Sequence, residues 1–178
     1  MIEMFKGCNE LEYLILKNID ALNVDNMKSL FTGCCRLKEI NGINGFNTSI
    51  IINMKEMFEN CEELENLDLS NFDIIKMKNM GGMFRDYNKL KKIDGIEKFK
   101  TLEITDIGCM FYGCKELEKL DLSNFDTIKV TIMGGIFYEC NKLKKINGIE
   151  KLKTPEVIDM EGMFYGCKEL ENLVILIQ

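Results

Sequence analysis

The sequence repeats itself along its whole length, and a repeat of this kind restricts the chain to architectures that stack one unit on the next. Met-Phe, or an aliphatic residue followed by Phe, recurs at Met4-Phe5, Leu30-Phe31, Met57-Phe58, Met83-Phe84, Met110-Phe111, Ile136-Phe137 and Met163-Phe164. The intervals alternate strictly between 26 and 27 residues, so the true unit is a pair of unlike coils 53 residues long. Laying 57–109 on 110–162 gives 33 identities without a gap, which chance does not produce. We call the coils that begin at Met4, Met57, Met110 and Met163 type A, and those that begin at Leu30, Met83 and Ile136 type B.

Within each coil an aliphatic residue follows six positions after the phenylalanine (Leu64, Leu90, Leu117, Leu143) and another follows three later (Leu67, Ile93, Leu120, Ile146), the L-x-x-L-x-L grammar of a leucine-rich repeat. The segments LDLSNF at 67–72 and 120–125 alternate apolar with polar residues, as a half-buried strand does. Their type B counterparts, IDGIEKF at 93–99 and INGIEKL at 146–152, hold one extra residue beside Gly95 and Gly148, which reads as a glycine bulge. Apolar spacing in segments such as 129–140 suggests a short helix or 3-10 turn on the outer face. The fold expected is therefore an α/β repeat solenoid of leucine-rich-repeat type over 1–178. It has seven coils of 26 or 27 residues, each with one short parallel strand and a short helix or 3-10 turn, and reads as one domain of a longer array. All eleven phenylalanines fall in two columns of such a stack, the seven just named and Phe46, Phe72, Phe99 and Phe125, and columns at fixed phase are expected to be core.

The strings MFYGCKELEKLDLSNFDTIKVTIM (110–133) and MFENCEELENLDLSNFDIIKMKNM (57–80) resemble the BspA-like leucine-rich repeat, also described as the mycoplasma lipoprotein-associated repeat. Its hallmark is M-F-x-G-C-x-x-L-x-x-L-D-L-S-x-F-D-T-x-x-V-x-x-M. The type B coils depart from it, replacing LDLS by I-D/N-G-I. The resemblance implies a solenoid fold, a place at the surface of a microbial cell, and a role in adhesion or partner binding, with no catalytic residue to carry over.

Composition narrows the chemistry. The chain has no histidine, no tryptophan and one proline, Pro155, so imidazole acid–base catalysis and imidazole metal ligation are excluded. A net charge of -6 argues against nucleic acid as the partner. No apolar run reaches transmembrane length, and MIEMFKGCNELEYL lacks the basic and continuously apolar regions of a signal peptide. The cell-surface location implied by the resemblance therefore stands beside a cytoplasmic alternative.

Six cysteines, Cys8, Cys34, Cys61, Cys114, Cys140 and Cys167, share one column in which Tyr87 takes the seventh place. They supply no convergent zinc set, and an in-phase column reads as small buried hydrophobes with reduced, inert thiols. No cofactor and no metal are expected. Beside the strand, the columns Glu10, Arg36, Glu63, Lys89, Glu116, Lys142, Glu169 and Glu12, Lys38, Glu65, Lys91, Glu118, Lys144, Glu171 both alternate in sign. These predict facing ion pairs that fix the register of the stack, on a face that is either simply solvated or recognises a partner of matching charge.

Candidate binding residues lie in two places. On the strand, Asp68, Asp94 and Asp121 form a column with Asn41 and Asn147, joined on the same face by Lys92, Lys119 and Lys145. They repeat with the coil instead of converging, which argues against paired-carboxylate catalysis or a calcium ladder. Elsewhere, the column Lys6, Thr32, Glu59, Arg85 gives way to Tyr112, Tyr138 and Tyr165, which reads either as an aromatic contact patch or as drift between recently duplicated coils. The functional expectation is a non-catalytic module that presents a repeat surface to a protein or glycan, without membrane insertion. The alternative is an intracellular scaffold that associates laterally or through terminal strands such as ENLVILIQ.

Overall fold

The computed structural model describes residues 1–17, 19 and 22–174. Among the described residues, six three-residue strands recur, one in each of the first six coils: β1 (Tyr13–Ile15), β2 (Glu39–Asn41), β3 (Asn66–Asp68), β4 (Lys92–Asp94), β5 (Lys119–Asp121) and β6 (Lys145–Asn147). In each of β3 to β6 the central aliphatic residue is buried and its neighbours face outward, as the period of two requires. Pairing is parallel and confined to the coil pair: β1 with β2, β3 with β4, β5 with β6. Residues 171–174 carry no strand, and the remainder of the expected terminal strand, 175–178, lies outside the described residues.

The stack is held together along its other edge. There a parallel bridge ladder runs from Asn26 through Asn53, Asn79, Asp106 and Ile132 to Asp159 without a break. The Met-Phe segment that follows uses its backbone donors alternately. In the coil beginning at Met57, the N–H groups of Glu56, Phe58 and Asn60 donate to Gly81, Met83 and Arg85 of the next coil, all at 2.9 Å. Those of Met57, Glu59 and Cys61 instead donate three residues back, to Met54, Glu56 and Phe58. A helix would turn every donor inward and leave neighbouring coils unbonded. The outer segment 129–140, expected as a short helix or 3-10 turn, is therefore a run of turns, with left-handed backbone at Glu139 (φ 56) and Gly135 (φ 61). The 3-10 turns occur elsewhere, directly after the type B strands, at Ile43–Gly45, Ile96–Lys98 and Ile149–Lys151.

These turns account for the extra residue of the type B coil. Gly95 (φ +90) is left-handed and starts the turn, so that Ile96 buries in the place that Leu69 fills in the type A coil. The close fit is on the side of the preceding coil, where a Cβ on Gly95 would stand 2.4 Å from the Ser70 Cα; Gly148 meets Ser123 at the same distance. The extra glycine is therefore the first residue of a left-handed turn that ends the strand, and it is not a bulge inside continuing strand pairing. On the far side the turn stands between its own strand and the next type A coil, which instead reaches it through side chains: Asn124 Nδ2 donates to Glu97 O at 2.5 Å and Asn71 Nδ2 to Asn44 O at 3.3 Å.

Between the two edges lies one continuous apolar core. Nine of the eleven phenylalanines expected to be core are buried: Phe31, Phe58, Phe84, Phe111 and Phe137 fully, and Phe46, Phe72, Phe99 and Phe125 nearly so; Phe5 and Phe164, in the two end coils, are half-buried against them. Rings of the first column stack face to face, 5.4–6.0 Å apart from one coil to the next. Replacing Gly95 or Gly148 by Ala forces a left-handed alanine into backbone, and each is expected to lower the unfolding free energy by about 2 kcal/mol or more. Gly45→Ala, with nothing within 4 Å, is expected to shift it by less than about 0.5 kcal/mol in the same urea titration.

Candidate binding face

The alternating charge columns pair in one direction. Within each coil pair the ladder is complete: Arg36 bonds Glu10 at 2.5 Å and Glu12 at 2.7 Å, and Lys38 bonds Glu12 at 2.7 Å. Lys89–Glu63 and Lys91–Glu65 close at 2.6 and 2.8 Å, and Lys142–Glu116 and Lys144–Glu118 at 2.7 and 3.2 Å. The lysine contacts hold the Glu12 and Glu65 carboxyls below the usual carboxylate range. Across the junction from a type B to the next type A coil, the described residues of these columns show a single longer contact, Lys144–Glu169 at 3.7 Å. These groups are exposed or half-exposed, so solvent screens each pair and the ladder's main effect is on register.

That junction is open. β4 and β5 are neighbours in the stack but share no strand pairing, and between them lies a groove of about 540 Å³. Ile93, Ile96 and Leu120 line its apolar part, and Lys92, Lys119 and Asp121 its polar part. A second opening follows β6, lined in part by Lys145, Asp121 and Asn147. Three sequence-predicted residues, Lys92, Lys119 and Asp121, thus meet at one groove and Lys145 at the next.

The remaining strand acids have partners of their own. Asp94 forms an ion pair with Lys92 two residues earlier in its strand. Asp68 and Asp121 lie beside Asp94 and Asn147 respectively in the strand register, and each accepts an N–H two residues on, from Ser70 and Ser123, at 2.9 Å. Hydrogen bonds from these serines pull both carboxyls below their ordinary 3.8. Each acid shapes its own turn. Among the described residues, no group of three or more Cys, Asp or Glu is placed to hold a metal ion.

The three tyrosines do come together. Tyr112 stacks on Tyr138 at 4.6 Å and 1°, Tyr138 on Tyr165 at 4.7 Å and 19°, and the Arg85 guanidinium covers the other face of the stack, 4.9 Å from the Tyr112 centroid. Ring faces are therefore spent on each other, and Tyr165, 63% exposed, is the open end. Loss of water around Tyr138 raises its phenol. The Tyr138 ring lies only 3.2 Å from where a Cβ on Gly162 would sit, so the glycine column makes room for the aromatic one. Arg85 is the member that sequence reasoning missed as a site residue, although it stands in the same column one coil earlier. A second missed feature is the ladder Asn26, Asn53, Asn79, Asp106 and Asp159, whose side chains accept the N–H two residues on at 2.9–3.0 Å. Its signal was a constant position four residues before the Met-Phe pair.

All eight cysteines are free thiols. In the column, Cys34, Cys61, Cys114, Cys140 and Cys167 donate to the carbonyls of Phe5, Phe31, Phe84, Phe111 and Phe137 at 3.0–3.4 Å. Burial raises their pKa values, Cys34 and Cys167 to about 11 from the ordinary 9.0, and Cys61, Cys114 and Cys140 further. Tyr87, in the same column, buries a hydroxyl with no hydrogen-bond partner among the described residues.

A family model described as "Mycoplasma protein of unknown function, DUF285" matches residues 1–95 and 87–175. The chain belongs to that family. Its fold is similar to the one in the crystal structure of T. pallidum Leucine Rich Repeat protein (TpLRR): 16% sequence identity, a TM-score of 0.59, and coverage of 97% of this chain and 71% of that one. No curated protein matches the sequence. The family member is thus a leucine-rich-repeat-type solenoid, a fold suited to a binding or scaffold module.

The buried thiols of this fold should be inert. Cys8 is expected to react with iodoacetamide in the folded protein while Cys61, Cys114 and Cys140 react only on unfolding, read by peptide mass. Because the raised thiols favour the protonated form, their contribution to stability is fully present below pH 9.0 and is lost as pH rises toward about 11. The urea midpoint should therefore fall through that window, and a midpoint flat to pH 11 contradicts the assignment.

Proposed function

We propose that this chain is a non-catalytic binding module of the BspA-like type, which holds a protein or glycan partner across its strand face at a microbial cell surface. The open junction between β4 and β5 carries this reading: it combines buried aliphatic side chains with lysine and carboxylate groups on one concavity. Of the groove's three lysines, Lys91 and Lys92 are engaged by Glu65 and Asp94, and Lys119, without an ion pair among the described residues, is the one with most freedom to meet a ligand. The repeated polar groups elsewhere on the face suit a partner that extends over several coils better than a small substrate held in one place. A scaffold inside the cell is a second reading, and the eight unpaired thiols favour it, since they suit a reducing compartment.

The double variant Lys92→Glu/Lys119→Glu, compared with wild type on glycan arrays and on immobilised extracellular proteins, is expected to lose binding at least tenfold. Lys78→Glu, beside the bridge ladder, should keep it. Equal loss in both variants, or no binding by wild type to either class, would sink the strand-face reading. Digestion of the protein by protease added to intact cells tests the location separately, and full protection would favour the scaffold.

A further inference from the structure

Outside the strand face, one stripe of the surface repeats an apolar group where a solvated turn has no need of one. Three residues after Phe72, Phe99, Phe125 and Leu152, which takes the place of phenylalanine in the sixth coil, stand Ile75, Leu102, Ile128 and Pro155, and the first three are 44%, 43% and 46% exposed; after Phe46 the position is Ser49, so the ridge spans four coils. Asp73 and Asp126 hold this turn by accepting the N–H of Ile75 and Ile128 at 3.1 and 3.0 Å. Two charged columns border the ridge along the chain: Asp73, Lys100, Asp126, Lys153 two residues before it and Lys76, Glu103, Lys129, Glu156 one residue after it, which in a stack of parallel coils makes them its two rims. Both alternate in sign. In contrast to the columns beside the strand, they are mostly unpaired: among the described residues only Glu103–Lys129, at 2.7 Å, forms an ion pair.

An alternating row of four charges is complementary to its own reverse, and we propose that the ridge is the contact surface of an antiparallel homodimer. A two-fold axis crossing the ridge between Leu102 and Ile128 sets Lys100 against Asp126 of the second copy and Lys153 against Asp73 of the second copy. On the other rim it sets Lys76 against Glu156 and Glu103 against Lys129 of the second copy. Leu102 then packs on Ile128 of the second copy at the centre, and Ile75 on Pro155 at either end. Every such contact occurs twice, as an isologous interface requires. Sliding one copy by a single coil turns every rim pair into like charges, so the rims select one register. A parallel two-fold also opposes unlike charges, but it would draw Lys129 away from Glu103 toward the Asp126 carboxylate that already caps its own turn. The antiparallel arrangement keeps the Glu103–Lys129 pair and joins two of them into a ring of four charges.

With coils about 4.8 Å apart, the ridge and its rims cover roughly 400 Å² per copy, near half of the ~800 Å² of a standard interface. The dimer is therefore weak and sensitive to salt. Sedimentation equilibrium of wild type, Lys100→Asp, Asp126→Lys and an equimolar mixture of the two variants tests it, with circular dichroism to check folding. Wild type is expected to dimerise at low salt, with a dissociation constant at least tenfold higher at high salt, and each variant alone to dimerise at least tenfold more weakly. The mixture should restore wild-type association, because every altered site then meets its complement, an outcome that a merely structural effect of either substitution does not give. If Asp126→Lys fails to fold without its turn cap, Lys76→Glu mixed with Glu156→Lys asks the same question at an outer pair that caps no turn. Wild type that stays monomeric to about 1 mM at low salt, or folded variants whose mixture associates no better than either alone, overturns the proposal.

Discussion

The alternation of backbone donors in the Met-Phe segment is the interaction on which the rest of the molecule depends. Every second N–H points to the next coil and every other one closes a turn within its own, so one short stretch both bends the chain and bonds it to its neighbour. Left-handed residues such as Asn60 and Asp86 make this zigzag possible, and the stacked phenylalanines and buried thiols fill the space beneath it. A coil has no way to satisfy these donors alone, which is why stability belongs to the stack and not to any one repeat.

Because that edge is continuous, the opposite edge is free to vary. The type B coil spends its extra residue on a left-handed glycine and a 3-10 turn, fits tightly on the coil before it and stands off from the coil after it. Strand pairing, ion pairs and the groove all follow this polarity: closed inside the 53-residue unit, open between units. A candidate binding groove thus arises from a backbone insertion, not from a special set of side chains. The same polarity explains why the charge columns, regular in sequence, act as pairs in space.

Much of the fold was legible because the repeat phase transmits directly to the stack. Leu67, Ile93, Leu120 and Ile146 announce the strands, the phenylalanine columns announce the core, and the glutamate and lysine columns announce their own partners, since equal positions in neighbouring coils must meet. The outer segment, expected as a short helix or 3-10 turn, forms successive turns instead, because apolar spacing near three or four is shared by all of these and only the direction of the N–H groups separates them. The glycine bulge was half right: the extra residue was visible at Gly95, but whether it kinks a strand or ends one depends on Ser70 in the coil beneath. Among the candidate residues, the tyrosines were seen as a column without the knowledge that their faces are occupied, and the strand acids without the serine and lysine groups that engage them.

The sequence by itself determined the coils, their alternation and the contents of the core, because each of these follows from which residues recur at which phase. Only the tertiary structure decided which face of each coil closes on its neighbour, where the groove opens, which charges are already paired and which are left along the ridge. Those outcomes turn on shifts of a few ångströms between coils, and a periodic sequence fixes the order of its contacts without fixing such distances.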